Sequence, residues 1–471
     1  MTRLPTFLHS ASVLRRTIPI RGVGPRLFLE AMEGQPRGFS GRGEAWVAWG
    51  GALQDLRIER ESGGGGLSRS VEELRRELER LGGGLAGSPE EGSSPRLFGG
   101  FAFGSGAAGG EGSTDPCWEG FPSARFVLPE FLLEQAEGEQ NLTLQWWAEG
   151  NPERDAPAEV DSRLQALAHR LEDQARREDA GSPEVRSTGG IDLRAIHSGD
   201  PGAQWRGAVA EILRRIRKGE LEKAVLARIL DVELSRPVGV PEVLERLVKD
   251  NRLAHVFLFE PQPGRALMGA APEVLAELQG GRFSATAVAG SISRGADPEA
   301  DRRLALQLQA SEKDRAEHRH TVEVMREAVG PLVQTLEVDE SPGVLTLSRI
   351  QHLETRFEGI PCPGVDVLSM VEVLHPTPAV CGRPRDRALD LIRECEPFDR
   401  GWYAGPVGWM DTAGQGHFVP ALRSAVGKGG RWRLFAGAGI VEGSDPLLEW
   451  EETGLKFQPA LRALGISAEE G

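Results

Sequence analysis

A layered α+β fold is what this sequence predicts, and three observations predict it. Amphipathic helical stretches and strand-like runs both recur along the chain. They alternate without the regular strand–helix–strand spacing of a parallel, doubly wound sheet. Apolar residues make up 39% of the 471 positions, with 60 Gly besides, which is enough for a core of ordinary size. Length alone allows roughly two to four domains or one large one.

Taken in order, residues 44–49 alternate as a strand should, and 62–66 are a glycine-rich loop. A helix is predicted over 71–81, with apolar residues at 71, 74, 78 and 81 and Ser68 or Ser70 as N-cap. Residues 97–103, 124–133 and 142–147 read as strands, and 162–177 as a helix. The segment 178–190 is polar, with Gly and Pro and little to bury, and is the best linker. Residues 1–190 are therefore expected to form the N-terminal part of the fold, ending in that linker, and 191–471 the catalytic core. Beyond it come helix 203–218, strand 223–234, helix 240–249 and strands 255–260 and 265–269.

Composition excludes several classes. Lys and Arg number 55 against 70 Asp and Glu, a formal charge of −15, which argues against nucleic acid as a partner. The four cysteines form no CxxC pair, so neither a disulfide framework nor a Cys-rich zinc site is expected, and a reducing, cytoplasmic setting fits. No apolar run approaches the ~18 residues of a membrane span. Before Glu30 the N-terminus carries Arg3, Arg15, Arg16, Arg21 and Arg26 and no acid; a strand followed by a basic loop is the plainer reading than a transit segment.

Five segments carry residues suited to chemistry. Lys223 stands at the start of a strand; pointed into a cleft, it would lose part of its solvation and could serve as a general base, whereas at an edge it is only a solvated lysine. Pro272 presents Glu273 between apolar neighbours, where a carboxyl is pushed up into the range of a general acid; a helix N-terminal Glu is the plain alternative. The run Ala287-Val-Ala-Gly-Ser-Ile-Ser-Arg-Gly295 offers backbone for close approach to a ligand, or simply ends a strand in a turn. Asp314 and Glu317, and likewise Glu449 and Glu452, lie three apart on helices, the second capped by Asp445 with Pro446 in first position. Such hard oxygen donors suit Mg²⁺, or are solvated faces with ion pairs. Last, 398–441 reads as consecutive strands with Arg423 on one and the small residues 436–439 on the next, a carboxylate clamp or an ordinary meander.

Singly these signals are weak; in this order they are specific. The chain resembles the chorismate-utilising enzymes, and within them the isochorismate synthases. The resemblance rests on Lys223-Ala-Val-Leu-Ala-Arg228, Ala271-Pro-Glu273, Ala289-Gly-Ser291, Ser311-Glu-Lys-Asp-Arg-Ala-Glu-His318, Leu374-His-Pro-Thr-Pro-Ala379, Glu396-Pro-Phe-Asp-Arg-Gly-Trp-Tyr403, Ala436-Gly-Ala-Gly-Ile-Val441 and Glu449-Trp-Glu-Glu-Thr453. It is strong over 205–464 and weaker over 96–129, where it follows the menaquinone-type members. Ala271, Ser291 and Cys381 depart from the usual Ser, Thr and Gly, and none of these removes a reacting group.

The resemblance implies one large α+β domain, two sheets packed between helical layers, and Mg²⁺-dependent conversion of chorismate to isochorismate. By position, Lys223 matches the base that activates water at C2 and Glu273 the acid that protonates the leaving C4 hydroxyl. Glu317 and Glu452 match the Mg²⁺ ligands, with Glu449 and Asp314 beside them. Arg423, Tyr403 and the backbone of Gly437, Ala438 and Gly439 match the pyruvyl-carboxylate clamp, while Gly290, His352 and Ala379 match pocket positions. The expected partner is chorismate, with the protein a monomer or homodimer. Relatives on the same scaffold make other products. Lys223 with Ala289 points to water rather than ammonia as nucleophile, and Ala379 points away from the salicylate synthases. A silent binding or assembly partner is disfavoured because every reacting position is present.

Overall fold

The computed structural model describes residues 11–59, 66–81, 94–104, 115–149, 158–180, 193–195 and 200–466. Most of the 62–66 loop and of the 178–190 segment lies outside these. Among the described residues the strands form two antiparallel sheets, of twelve and ten strands. The larger runs from Ala11–Pro19 through Glu139–Glu149, Phe131–Ala136, Ala45–Gly50, Arg37–Arg42, His255–Gln262, Arg265–Ala271, Ser424–Lys428 and Arg431–Val441 to Lys223–Leu234, with Gly382–Arg383 at the far edge. The smaller runs from Val333–Val338 through Ile350–Pro361, Arg282–Ser293, Ala276–Gln279, Gly416–Pro420, Pro406–Asp411, Arg96–Phe101 and Ala124–Leu128 to Gln54–Ile58. Both sheets thus interleave strands from before and after the 178–190 segment.

The two sheets pack face to face. Between them lies an aromatic core in which Trp49, Phe257 and Phe259 of the larger sheet meet Phe98, Val407 and Val419 of the smaller. The outer face of the larger sheet is covered by helices Pro25–Ala31, Ala158–Ala180, Val240–Asp250 and Pro446–Ala463, through Phe28, Leu164, Leu171, Leu244 and Phe457. Helices Leu67–Leu81, Glu312–Val329 and Val367–Leu374 cover the smaller sheet. The architecture is the predicted α+β one, two sheets between helical layers.

Local sequence explains the elements that frame the site. Asp200 caps helix Pro201–Arg217, accepting from the Ala203 N–H, and Gly219 ends it in the left-handed region at φ +72°. The next strand, Lys223–Leu234, has the bounds its apolar run predicts. Asp445 caps helix Pro446–Ala463 through the Leu447 and Leu448 amides, as its sequence signature requires.

Three readings need correction. The run 124–133 is not one strand: Ala124–Leu128 belongs to the smaller sheet and Phe131–Ala136 to the larger. Pro129 has no N–H to give a ladder, and the chain changes sheet there. Nor does Arg423 sit on a strand. It lies between Gly416–Pro420 of the smaller sheet and Ser424–Lys428 of the larger, at φ +48°, on a second crossing point. Finally, the basic stretch after the first strand is partly helical: Pro25 starts a helix, and Arg26 pairs with Glu30, Glu178 and Glu245.

Candidate active site

The crossing points build the site. Strand Arg265–Ala271 of the larger sheet passes to Ala276–Gln279 of the smaller through a bend that holds Pro272 and Glu273. Glu273 is therefore in a sheet-to-sheet bend and not at a helix N-terminus. Arg423 sits on the return crossing. Both line one cavity with Gly290, His352, Ala379, Tyr403, Gly437, Gly439, Glu317, Glu449 and Glu452. Its empty space, mouth included, is about 890 Å³, a size suited to a small molecule.

One wall is the strand pair Lys223–Leu234 and Arg431–Val441, in which Val225 faces Gly439 and Ala227 faces Gly437. A Cβ on Gly439 would stand 2.7 Å from Glu317 Oε1 and 2.8 Å from Lys223 Cε, and one on Gly437 would stand 3.1 Å from the Tyr403 hydroxyl. Glycine here leaves room for the side chains that face it. Ala438, between them, turns the other way by strand alternation, and its side chain lies in the inter-sheet core with Leu226. Of this trio only the two glycines line the cavity.

Lys223 is buried, and its ammonium donates to Glu317 Oε1 at 2.7 Å. Burial pushes the Glu317 carboxyl up, but the Lys223 charge and hydrogen bond outweigh it and hold the group below the usual carboxylate range. Glu273 is 4% exposed, and its Oε1 has no hydrogen-bond partner. Burial pushes this carboxyl up to about 8, against the pull of Lys223, the Val288 N–H and Arg423. That favours the protonated form at neutral pH, on a residue that lines the cavity.

His352 and Arg423 act as a unit. Arg423 Nη2 donates to His352 Nε2, because a guanidinium has no acceptor; Nδ1 therefore carries the imidazole proton and donates to Gly290 O at 3.2 Å. Burial, then the Arg423 charge, keeps His352 neutral, well below its ordinary value. The geometry that brings Gly290 O there is a bulge: Ala289 pairs with Leu353 and Ser291 with His352, leaving Gly290 at φ +76° without a partner. Arg423 is buried, and that burial lowers it to about 10. Tyr403 stacks on Phe435 with centroids 4.9 Å apart and turns its hydroxyl toward Gly437.

The acidic helices meet at the opposite end of this chemistry. Glu449 accepts from Lys313 at 3.2 Å and Glu452 from Lys456 at 2.6 Å, while Lys456 also donates to Gly437 O at 2.8 Å. Burial and then Glu452 raise the Glu449 carboxyl; burial above all raises Asp314, which the Ser311 hydroxyl contacts. Among the described residues no three His, Cys, Asp or Glu side chains are grouped as a metal site. Each of Glu317, Glu449 and Glu452 instead faces its own lysine. Lys313 and Lys456 were not singled out from sequence. Glu452 and Lys456 are four apart on one helix, a readable pair; Lys313 reaches Glu449 from another helix, and no local pattern announces it.

A cavity lined by a buried carboxyl pushed toward its protonated form, a buried guanidinium and an acidic edge, with the buried Lys223 amine bonded to Glu317 of that lining, is that of an enzyme for a small anionic substrate. The chain belongs to the family described as "Chorismate binding enzyme", whose model matches residues 9–465. It is 34% identical over 377 residues to the isochorismate synthase MenF of Bacillus subtilis, covering 79% of this chain and 75% of that one. It is 38% identical over 379 residues to the salicylate biosynthesis isochorismate synthase of Pseudomonas aeruginosa, again 79% and 75%. The structure of MenF, the menaquinone-specific isochorismate synthase from Escherichia coli, superposes with a TM-score of 0.73 at 26% identity, over 96% of this chain and 94% of that one. No described helix is long and apolar enough to cross a membrane.

Proposed function

We propose that this protein is an isochorismate synthase, converting chorismate to isochorismate by water attack at C2 and loss of the C4 hydroxyl. The observation that carries the reading is Glu273: buried, pushed toward its protonated form near neutral pH and with Oε1 unbonded, in a cavity lined also by Glu317, to which the buried Lys223 ammonium donates. Moving a hydroxyl across an allylic system needs one group to take a proton from water and another to give one to the leaving oxygen. Lys223, in its neutral amine form, is the base that takes the proton from water, and Glu273 is the acid. Arg423, aligned by neutral His352, binds the pyruvyl carboxylate with Tyr403 and the Gly437–Gly439 backbone, and Ala379 leaves space beside the ring.

Glu317, Glu449 and Glu452 are the donors for Mg²⁺: all three are hard oxygen ligands, the class this ion takes. Bound there, the ion supplies positive charge for the ring carboxylate, so that an acidic edge receives a dianion. Lys223, Lys313 and Lys456 face these three carboxylates, so an ion held there would compete with them.

We place the enzyme in the cytoplasm and in menaquinone biosynthesis, on the strength of the menaquinone-type relatives. Product analysis after incubation with chorismate and Mg²⁺ tests the reaction, with isochorismate expected and neither pyruvate nor anthranilate formed. Rescue of a menaquinone-deficient strain that lacks its own isochorismate synthase tests the pathway.

A further inference from the structure

Strand Lys223–Leu234 pairs along one edge with Arg431–Val441 from Lys223 to Glu233. Its other edge pairs with Gly382–Arg383 only at Lys223 and Ala224, and with 193–195 only from Val232. Between those points the groups of Val225 and Ala227 that point outward would lack a ladder. The Val225 N–H finds Cys381 O at 2.7 Å, and the Val225 carbonyl and the Ala227 N–H are met instead by a buried ion pair. Arg400 Nη2 donates to Val225 O at 2.8 Å, and Glu396 Oε1 accepts from the Ala227 N–H at 2.7 Å. Arg400 Nε donates to Glu396 Oε2 at 2.8 Å, and Nη1 to Val380 O at 2.9 Å. The guanidinium also lies over the Tyr403 ring, 5.8 Å from its centroid.

We infer that Glu396 and Arg400 are positioning residues for this active site: a side-chain clamp that replaces a missing strand and fixes Lys223's strand, Val380 and Tyr403 relative to one another. Neither residue lines the cavity, whereas Val225, Val380 and Tyr403 all do. The clamp therefore acts through the walls and not on substrate. Only a planar fork with several donors in fixed directions can bond Glu396, Val225 O and Val380 O together, so lysine is no substitute. A buried charge pair is directional where an apolar contact of the same volume is not.

The inference rests on the cavity being the chorismate site, and its test separates the two. Glu396→Ala and Arg400→Ala are purified and shown folded by near-UV circular dichroism. Amide hydrogen exchange is then followed at Val225 and Ala227, together with kcat and KM for chorismate. We expect faster exchange confined to that edge, and a kcat loss of about 10²-fold, the cost of a small misplacement, that exceeds any change in KM. Millimolar guanidinium should restore part of the kcat of Arg400→Ala and leave wild type unchanged. Should Glu396→Ala not fold, Glu396→Gln carries the same readouts, because a neutral amide holds the guanidinium less firmly. Wild-type kcat in a folded variant, unchanged exchange at Val225 and Ala227, or no rescue by guanidinium would each overturn the clamp. If wild-type protein leaves chorismate untouched, the functional reading fails while the exchange arm still decides the clamp.

Discussion

The two ends of the cavity treat buried charge in opposite ways. At the sheet crossings, Glu273 has no counter-ion in contact, and its carboxyl rises to about 8. At the helical edge, Glu317, Glu449 and Glu452 each face a lysine. The first end favours a proton on Glu273, and at the second the Lys223 charge holds Glu317 as a carboxylate. Burial raises Glu273 and, with the Glu452 charge, Glu449, whereas Glu317, bonded to Lys223, is held below the usual carboxylate range. The directly bonded cation, and not burial, separates Glu317 from Glu273.

The largest test of this contrast is removal of the proton. Glu273→Gln should lower kcat by about 10²–10⁴-fold, the usual worth of a general acid. It should also stabilise the fold at alkaline pH. The carboxyl's folded value lies above its ordinary 4.5, so the stability it confers is complete below pH 4.5 and is lost as pH rises through about 8. At ~1.4 kcal/mol per unit, the amide should recover a few kcal/mol above pH 8, read by thermal denaturation of both proteins against pH. A variant that is both active and no more stable would remove the distinction between the two ends.

Next in size is Lys223→Ala. Chorismate should still bind, since Arg423 remains, while kcat falls by about 10²–10⁴-fold in steady-state assays. Smaller again, Glu452→Gln should weaken the apparent Mg²⁺ affinity by about 10–100-fold in a titration followed by activity and calorimetry, with the fold unchanged. The smallest effect tests the wall between the ends. Gly439→Ala puts a methyl 2.7 Å from Glu317 Oε1 and should cost about 1–3 kcal/mol in a denaturation midpoint, with a partial loss of kcat.

How far the sequence could be read follows from how local each feature is. Strand 223–234 and helix Pro446–Ala463 were legible because an apolar run and the Asp-Pro cap are contiguous signals. The α+β class was legible from the mixture of elements. The crossings were not. Pro129 lies inside an apolar run that looks continuous, and nothing near Arg423 states that the chain changes sheet there. The bulge at Gly290 and the Lys313–Glu449 contact depend on partners far along the chain. That the Ala438 side chain faces away from Gly437 and Gly439 was legible from alternation by two. The roles of Lys223 and Glu273 came from resemblance, and local spacing alone left each with a plain alternative.

In the proposed reaction Lys223 directs water to C2 while Glu273 releases the C4 hydroxyl. Conversion of chorismate in ¹⁸O-labelled water, with mass analysis of the product, tests it most directly. One solvent-derived oxygen in isochorismate is the predicted result. Unlabelled isochorismate would mean that the hydroxyl migrates within the substrate and would contradict the claim.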